Sequence, residues 1–507
     1  MDYLDTLPPE LWNRCLSLLN PTNLRNVALT CKTLNDFAQP CLFRLLRVVV
    51  ADGQYGTEEV INASRDAFVQ RFVSISESTT LAPLVKRIIY ADHLEMGNPM
   101  ALGAVRNFKE AVPANFFPIL PRFVGVVQLT LWQAGIDFEA PDMRKAIESL
   151  PLLRRLLIGG SELEDGNPMP LESFTFQDSR PLVYPNTEPL HVVDPKTIQR
   201  LTLLGPLGLN PLFVALQSTP LPALRFLHID ISPESDISTI VAMLDQCEHL
   251  LELVIGHHAQ SHAGLIPRFD AGQQQILATM FAAFSEQMVN AGLPLPPGFT
   301  LPGFGPAADT ESEMDKLGRT FILAPLALPN LRSLRCPYNF VRLLLPNRAT
   351  LDTLNTFRGK SERKDETPIA AIEAAGINDN MRVLRLLSAL PTHTLPEVFT
   401  AVARFHPALR DFTLVAHYGP QARLSQLVEQ GMLVLPPLLE ALEIRITSAR
   451  GELSEQSIRR EITEALSAQQ AASTLCKVVF AIEEDDVRKV HKYVKRVGSR
   501  GEWICEA

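Results

Sequence analysis

The sequence predicts an α/β protein in which a small N-terminal unit of three helices precedes an irregular solenoid with a curved parallel sheet. Three observations support this fold class. Short amphipathic helices are indicated at the N-terminus, one apolar phrase recurs through the rest of the chain, and helix-forming stretches separate several of its copies. The chain has 507 residues, of which 46% are hydrophobic, so it has ample material for a large core.

The N-terminal segment, TLPPELWNRCLSLLNPTNLRNVALTCKTLNDFAQPCLFRLL (6–46), has the pattern of short amphipathic helices. Pro8 and Pro9 suit the first turn of a helix, where a missing N–H group costs nothing. Apolar residues then recur at helical spacing: Leu11, Cys15 and Leu19, followed by Leu24, Val27, Ala28 and Cys31. About 40 residues bury too little surface to be stable alone. The apolar faces therefore need cover from the rest of the chain or from a second protein.

The order of the residues in this segment resembles the F-box motif. The matching residues are Leu7-Pro8, Glu10-Leu11, Leu18-Leu19, Pro21, Leu24, Val27, Cys31-Lys32 and the ending Pro40–Phe43, with Leu34 where the family often has Trp. The resemblance implies a three-helix unit that docks on the adaptor subunit of SCF-type (Skp1–cullin–F-box) ubiquitin ligases. It also implies which residues face the adaptor or support that face: Leu7, Pro8, Leu11, Cys15, Leu19, Leu24 and Val27.

The rest of the chain repeats a phrase of six residues with apolar residues at positions 1, 4 and 6. Copies begin at 85, 126, 153, 171, 198, 224, 250, 331, 351, 381, 409, 439 and 475. Four of the five intervals between 126 and 250 are 26 or 27 residues, a period within that of leucine-rich repeats. Positions 4 and 6 should point into the core, because side chains alternate along a strand. Thr356 is the exception, a polar residue at a core position.

Helix-forming stretches lie between the phrases: PDMRKAIESLP, DISTIVAMLDQCEH, LPEVFTAVARFH and SIRREITEALSAQQAAS. Strand, loop and helix in each repeat predict a stacked solenoid. The pattern resembles irregular leucine-rich repeats, although the asparagine expected after the strand is mostly absent. F-box proteins frequently carry such repeats as substrate-binding domains, so the two resemblances agree with each other.

These features predict four regions: an F-box at 1–46, a linker with a helix at 47–83, the repeats at 84–482, and a capping helix with a tail at 483–507. A Pro/Gly-rich insertion at about 256–325 interrupts the repeats, and it is interpreted as a projecting loop, as is the charged stretch 358–367. The alternative is that either segment binds a partner. The final helix is predicted because Val487, Val490, Val494 and Val497 share one helical face; a nuclear-localisation or acidic-ligand patch is the alternative.

Composition excludes several classes of function. A net charge of −9 argues against nucleic acid as a partner, and no apolar run is long enough for a membrane span. Seven scattered cysteines without paired spacing predict a reduced compartment, the cytoplasm or the nucleus. The acidic first residues, without an apolar stretch behind them, predict no leader segment.

No catalytic motif is found in the sequence, so we expect no enzyme activity and no cofactor. GHHAQSH (256–262) places three histidines close together, which suggests zinc, but the segment follows a predicted strand and is interpreted as a polar surface patch. Partner chemistry is expected on the solvent-facing strand positions. The candidate substrate-binding residues are Trp132, His228, His257, Arg335, Tyr338, Arg385 and Arg445. The arginines either bind acidic or phosphorylated segments or pair with neighbours such as Glu443 and Asp411.

Together these features predict the substrate-recognition subunit of an SCF-type ubiquitin ligase. Its expected partners are the ligase adaptor, cullin through that adaptor, and a protein target. One alternative is a scaffold that uses its F-box outside any ligase. A second, an intracellular hydrolase, would need a catalytic triad that the sequence does not show.

Overall fold

The structure is a computed structural model of the whole chain. It describes residues 8–49, 58–92, 114–133, 143–159, 165–177, 189–205, 210–231, 237–257, 323, 327–344, 350–357, 367–418, 434–448, 474–484, 487–495 and 503–506.

The N-terminal unit consists of helices α1 (Pro9–Leu16), α2 (Pro21–Ala28) and α3 (Lys32–Leu42). A proline opens each of the first two helices, and for α1 this is as predicted. The side chain of Asn20 accepts a hydrogen bond from the backbone N–H of Asn23 at 2.8 Å and so caps α2. The first two helices are therefore begun by local sequence signals.

A small core of its own holds the three helices together. Leu16, Leu24 and Ala38, one from each helix, are buried against one another. Trp12 stacks on Phe37 with 6.1 Å between the ring centroids. This core is separate from the large core of the repeats.

Within the described residues, sixteen strands form one sheet in chain order. They are β1 (Leu45–Val49), β2 (Arg87–Asp92), β3 (Gln128–Gln133), β4 (Arg155–Gly159), β5 (Ser173–Gln177), β6 (Arg200–Leu204), β7 (Phe226–Ile231), β8 (Glu252–His257), β9 (Ser333–Pro337), β10 (Thr353–Phe357), β11 (Val383–Pro391), β12 (Asp411–Tyr418), β13 (Ala441–Ser448), β14 (Lys477–Glu484), β15 (Val487–Lys495) and β16 (Trp503–Glu506).

The strands confirm the predicted repeat. Each of the thirteen phrases becomes a strand that begins at position 3, and β1 to β14 pair in parallel. Leu227 and Ile229 of β7, at positions 4 and 6, are 0% exposed. Buried and exposed side chains alternate along the strand, and this alternation fixes the register of strand pairing. A slip of one residue would turn the apolar side chains towards solvent. Thr356 occupies its core position and is also buried.

Seven further helices of four or more residues lie in the described connections. They are α4 (Glu58–Glu77), α5 (Met143–Glu148), α6 (Asn210–Leu216), α7 (Ile237–Asp245), α8 (Tyr338–Leu344), α9 (Pro368–Ala375) and α10 (Leu395–Phe405). Helices α5, α7 and α10 confirm three of the four predicted stretches, and the fourth lies outside the described residues. Their apolar side chains and the inward strand positions form one continuous core.

The predicted capping helix at the C-terminus is wrong. Residues Val487–Lys495 form β15, which pairs antiparallel with β14, and β16 pairs antiparallel with β15. The valine spacing fits a helix, but valine and tyrosine also favour strands. The open edge of β14 offers unpaired backbone groups, and pairing with them decides the conformation. Tyr493 of β15 is buried, whereas Val490 is exposed.

The linker is only partly as predicted. Helix α4 confirms the helix expected there, but β1 already starts the sheet at Leu45, well before the predicted boundary at residue 84. The insertion at about 256–325 lies almost entirely outside the described residues. Strand β8 pairs directly with β9 across it, so these two strands are neighbours despite the long connection.

Candidate functional site

The N-terminal unit exposes large apolar side chains that its small core does not use. Leu11 is 46% exposed, Leu18 84% and Leu29 85%. Leu11 lies on α1, while Leu18 and Leu29 follow the ends of α1 and α2. Exposed apolar side chains on a three-helix unit are available for contact with another protein.

The predicted adaptor-facing residues divide into two groups. Pro8, Leu11 and Cys15 are exposed, so they are available to a partner. Leu24 is 5% exposed and belongs to the core of the unit, where the partly buried Leu19 and Val27 pack against it; these three support the face. Leu7 lies outside the described residues.

Sequence reasoning left Leu18 and Leu29 out of the predicted surface, although they are among the most exposed apolar residues described. The helical spacing that selected Leu11, Cys15 and Leu19 assumes a helix through residue 19. Helix α1 ends at Leu16, and the turn that follows directs Leu18 outward while Leu19 packs inward. The Asn20-Pro21 pair predicts that the helix ends at residue 20, but α1 already ends at Leu16, so this pair does not mark the observed end.

The face of the sheet away from the helices carries rows of equivalent side chains. One row, which we call the central row, runs through Thr202, His228, Val254, Arg335, Asn355 and Arg385, each paired in register with the next. The structure therefore brings three of the predicted substrate-binding residues, His228, Arg335 and Arg385, into a single line. This confirms that the two arginines share one row, two strands apart.

Two glycines let neighbouring side chains lie flat across the sheet. The ring of Trp132 on β3 covers Gly159 on β4, and a Cβ there would lie 2.6 Å from Cε3 of the ring. A Cβ on Gly256 of β8 would lie 1.9 Å from Oδ1 of Asp230 on β7. Trp132 is thus a half-buried, solvent-facing residue whose position depends on the missing side chain of Gly159.

His228 lies near both a negative and a positive side chain. Partial burial lowers its pKa; the carboxylate of Asp230, 3.8 Å from Nε2, opposes that shift, and the charge of Arg335 adds to it.

The arginines differ in whether they have acidic partners. Nε of Arg445 donates to Oε1 of Glu443 at 2.8 Å, so for this residue the alternative interpretation, pairing with a neighbouring acid, is confirmed. In the described part of the chain, neither Arg335 nor Arg385 forms an ion pair with an acid, and both side chains are exposed. Arg335 lies 5.9 Å from the ring centroid of Phe357.

Two of the predicted substrate-binding residues do not belong to the exposed face. The prediction that Tyr338 faces solvent is wrong: it is 3% exposed, because the chain turns at the end of β9 and α8 begins at this residue. His257 pairs in register with the buried Ile231, so its position is out of phase with the central row. The structure does not describe the side chain of His257, and His258 and His262 lie outside the described residues.

Among the residues that the structure describes, no three His, Cys, Asp or Glu side chains lie close enough to hold a metal ion. No helix in the described ranges is both long and apolar enough to cross a membrane.

Comparison with known proteins identifies the N-terminal unit. A family model described as the F-box domain matches residues 4–45, which include all three helices and the exposed apolar residues. Residues 4–45 are an F-box domain. The resemblance seen in the sequence is therefore confirmed for this part of the chain, and the described helices give its surface.

The chain as a whole shows only weak similarity to known proteins. No curated protein matches the chain. Among solved structures, one similar chain comes from the crystal structure of the Rad7 and Elc1 complex in yeast. It is 14% identical, with 89% of this chain and 92% of that chain covered and a TM-score of 0.35.

Proposed function

We propose that this chain is the substrate-recognition subunit of an SCF-type ubiquitin ligase. In this role its F-box domain binds the ligase adaptor, and the adaptor links it to cullin. The observation that carries the proposal is the F-box domain at 4–45, whose surface exposes Leu11, Leu18 and Leu29. Exposure of these apolar side chains to water is unfavourable, and a bound adaptor would bury them.

The repeats supply the second half of the proposal, the surface for the target protein. Their sheet presents a long row of solvent-facing positions on a scaffold whose other face is a continuous core. We expect the irregular repeats to be leucine-rich repeats and to bind the target on this exposed face. The chain itself would perform no chemistry. It would hold the target near a ubiquitin-loaded conjugating enzyme, and the gain in rate would come from proximity.

The F-box half is tested by affinity purification of the full-length chain. Leu11→Asp with Leu18→Asp should abolish co-purification of the adaptor, because loss of two central apolar contacts costs about 2 kcal/mol or more each, about 30-fold in affinity. The matched control is Ile377→Asp, which changes a residue that is 72% exposed in the repeats and should retain the adaptor.

Three results would contradict the proposal in different ways. If the double variant keeps the adaptor at wild-type level, the exposed F-box leucines are not the docking surface. If the wild-type chain captures the adaptor without cullin, the chain is a scaffold outside a ligase. If Ile377→Asp also loses the adaptor, the effect of the leucine changes is not specific to the F-box.

A further inference from the structure

The exposed face of β9 to β11 carries two cationic groups at a fixed separation. Asn355 of β10 pairs in register with Arg335 of β9 on one side and with Arg385 of β11 on the other. Neighbouring strands lie about 4.8 Å apart, so the Cα atoms of the two arginines are about 10 Å apart. Both side chains are exposed, and the described residues offer neither of them an ion pair.

The acids nearest along these strands do not neutralise the pair. Asp352 precedes β10 and accepts a hydrogen bond from Oγ1 of Thr353 at 2.8 Å. Asp411 and Glu252 stand at the first positions of β12 and β8, outside the central row. Glu443 continues that row through Thr413, two strands beyond Arg385, and accepts a hydrogen bond from Nε of Arg445 at 2.8 Å. Elsewhere on the surface Arg410 pairs with Glu440 at 3.1 Å, which is the ordinary arrangement. Within the described residues, the two arginines of the central row therefore have guanidinium groups available for a ligand.

We propose that Arg335 and Arg385 bind two anionic side chains, three residues apart, in an extended segment of the target protein. This inference rests on the proposed function and names the chemistry of the target. A guanidinium group donates two parallel hydrogen bonds to a carboxylate or a phosphate, so either anion fits. The net charge of −9 makes a long polyanion such as nucleic acid a poor alternative.

The spacing follows from the geometry of extended chains. A polyproline II segment has three residues per turn and rises about 3.1 Å per residue, so residues i and i+3 point to the same side about 9 Å apart. In a β-strand, residues on one side are about 6.6 Å or 13 Å apart, which matches the arginines less well. The preferred target is thus a proline-rich segment with acidic or phosphorylated residues at i and i+3.

Peptide binding to the purified full-length chain tests this inference. The probes are proline-rich synthetic peptides with two phosphoserines separated by two, three or four positions, the same series with aspartate, and an unphosphorylated serine series. We expect the spacing of three to give the tightest binding, about tenfold or more over the serine peptide. Whether the phosphoserine or the aspartate series binds more tightly identifies the anion.

Variants separate site binding from general attraction between charges. Arg335→Gln with Arg385→Gln should remove the advantage of the spacing-three peptide. Arg332→Gln with Arg382→Gln is the matched control, because both residues are exposed, precede the same strands, and carry the same total charge. It should keep that advantage. Thermal unfolding of each variant checks that the fold is intact.

The inference is overturned if both double variants weaken peptide binding equally, or if no spacing is preferred. It is also overturned if a single-stranded RNA oligonucleotide binds the chain more tightly than the peptide does and displaces it. In any of these cases, continued co-purification of adaptor and cullin would leave the proposed function in place. Loss of cullin from the wild-type chain would count against the proposed function and not against the peptide site.

Discussion

Thr350 and Thr474 make the same hydrogen bonds in two separate repeats. The hydroxyl of Thr350 lies 3.0 Å from the carbonyl oxygen of Pro329 and 2.9 Å from that of Leu331. The hydroxyl of Thr474 lies 3.0 Å from each of the two equivalent carbonyls of its own preceding repeat. Both threonines stand directly before position 1 of their phrase. A polar side chain at this position therefore ties each repeat to the one before it.

Two further repeats make one of these two hydrogen bonds from the same position, one with a threonine and one with an asparagine. Thr197 donates to the carbonyl of Leu171 at 3.1 Å, and Nδ2 of Asn330 donates to the carbonyl of Glu248 at 2.9 Å. In a stacked array, stability depends on such contacts between neighbours. The irregular repeats thus keep a shared hydrogen bond even where their lengths differ.

Thr350→Val should lower the free energy of unfolding by about 1 kcal/mol, because valine has the shape of threonine but cannot donate to the two carbonyls. Urea denaturation measures the change. Thr202→Val on β6 is the control and should be neutral, since valine suits a strand. Equal effects at the two positions would show that the hydrogen bonds of Thr350 contribute nothing to stability.

The inward positions of the strands should be far more sensitive than the outward ones. Leu227 and Leu253 are fully buried, so truncation of either to alanine should cost about 2–5 kcal/mol. Glu252 is exposed at the first position of β8, and Glu252→Ala should change stability by no more than about 0.5 kcal/mol. Similar losses from Leu253→Ala and Glu252→Ala would contradict the register of β8.

Most of the sheet could be predicted from the sequence because burial imposes a period of two on the repeated phrase. The phrase around Leu227 is an example: its apolar positions are those that the core covers. The predictions that failed concern segments whose conformation depends on tertiary contacts. The Val487 segment was predicted as a helix because its local pattern permits one, and only the open edge of β14 makes it a strand.

The candidate site was predictable only in part. Arg335 and Arg385 could be placed in one row because phrase positions translate directly into rows of the sheet. The pairing of Arg445 with Glu443 could be named only as one of two possibilities, since side-chain geometry is not encoded in spacing. Tyr338 was misplaced because the phrase does not tell where a strand ends and the next helix begins.

Gly159→Ala should move Trp132, since a Cβ would lie 2.6 Å and 2.8 Å from two atoms of its ring. We expect a loss of about 1–3 kcal/mol in stability and a shift in the fluorescence of this half-buried tryptophan. In a Trp132→Phe background the same change should cost less, because the smaller ring leaves room for the methyl group. An additive double-mutant cycle would show that the two residues do not interact.

His406 should make the protein sensitive to acid. It is 0% exposed, and neither ring nitrogen has a hydrogen-bond partner among the described residues. Burial lowers its pKa from 6.5 to about 4, and the neighbouring backbone of Phe405 opposes that shift without cancelling it. Between pH 6.5 and 4 the unfolded chain therefore binds a proton at this site that the folded chain does not.

The folded state should consequently lose stability as the pH falls from 6.5 to 4, by about 3 kcal/mol from this residue, and keep that stability above pH 6.5. His406→Phe removes the titrating group from a site that is already apolar. Urea denaturation from pH 7.5 down to pH 4.5 should show a shallower decline for the variant than for the wild type, each referred to its own value at pH 7.5. His228, whose pKa is also lowered, contributes in the same direction to both proteins and cancels in this comparison. Parallel pH profiles would mean that His406 is protonated in the folded protein as readily as in the unfolded chain, and its burial would then have no consequence for acid stability.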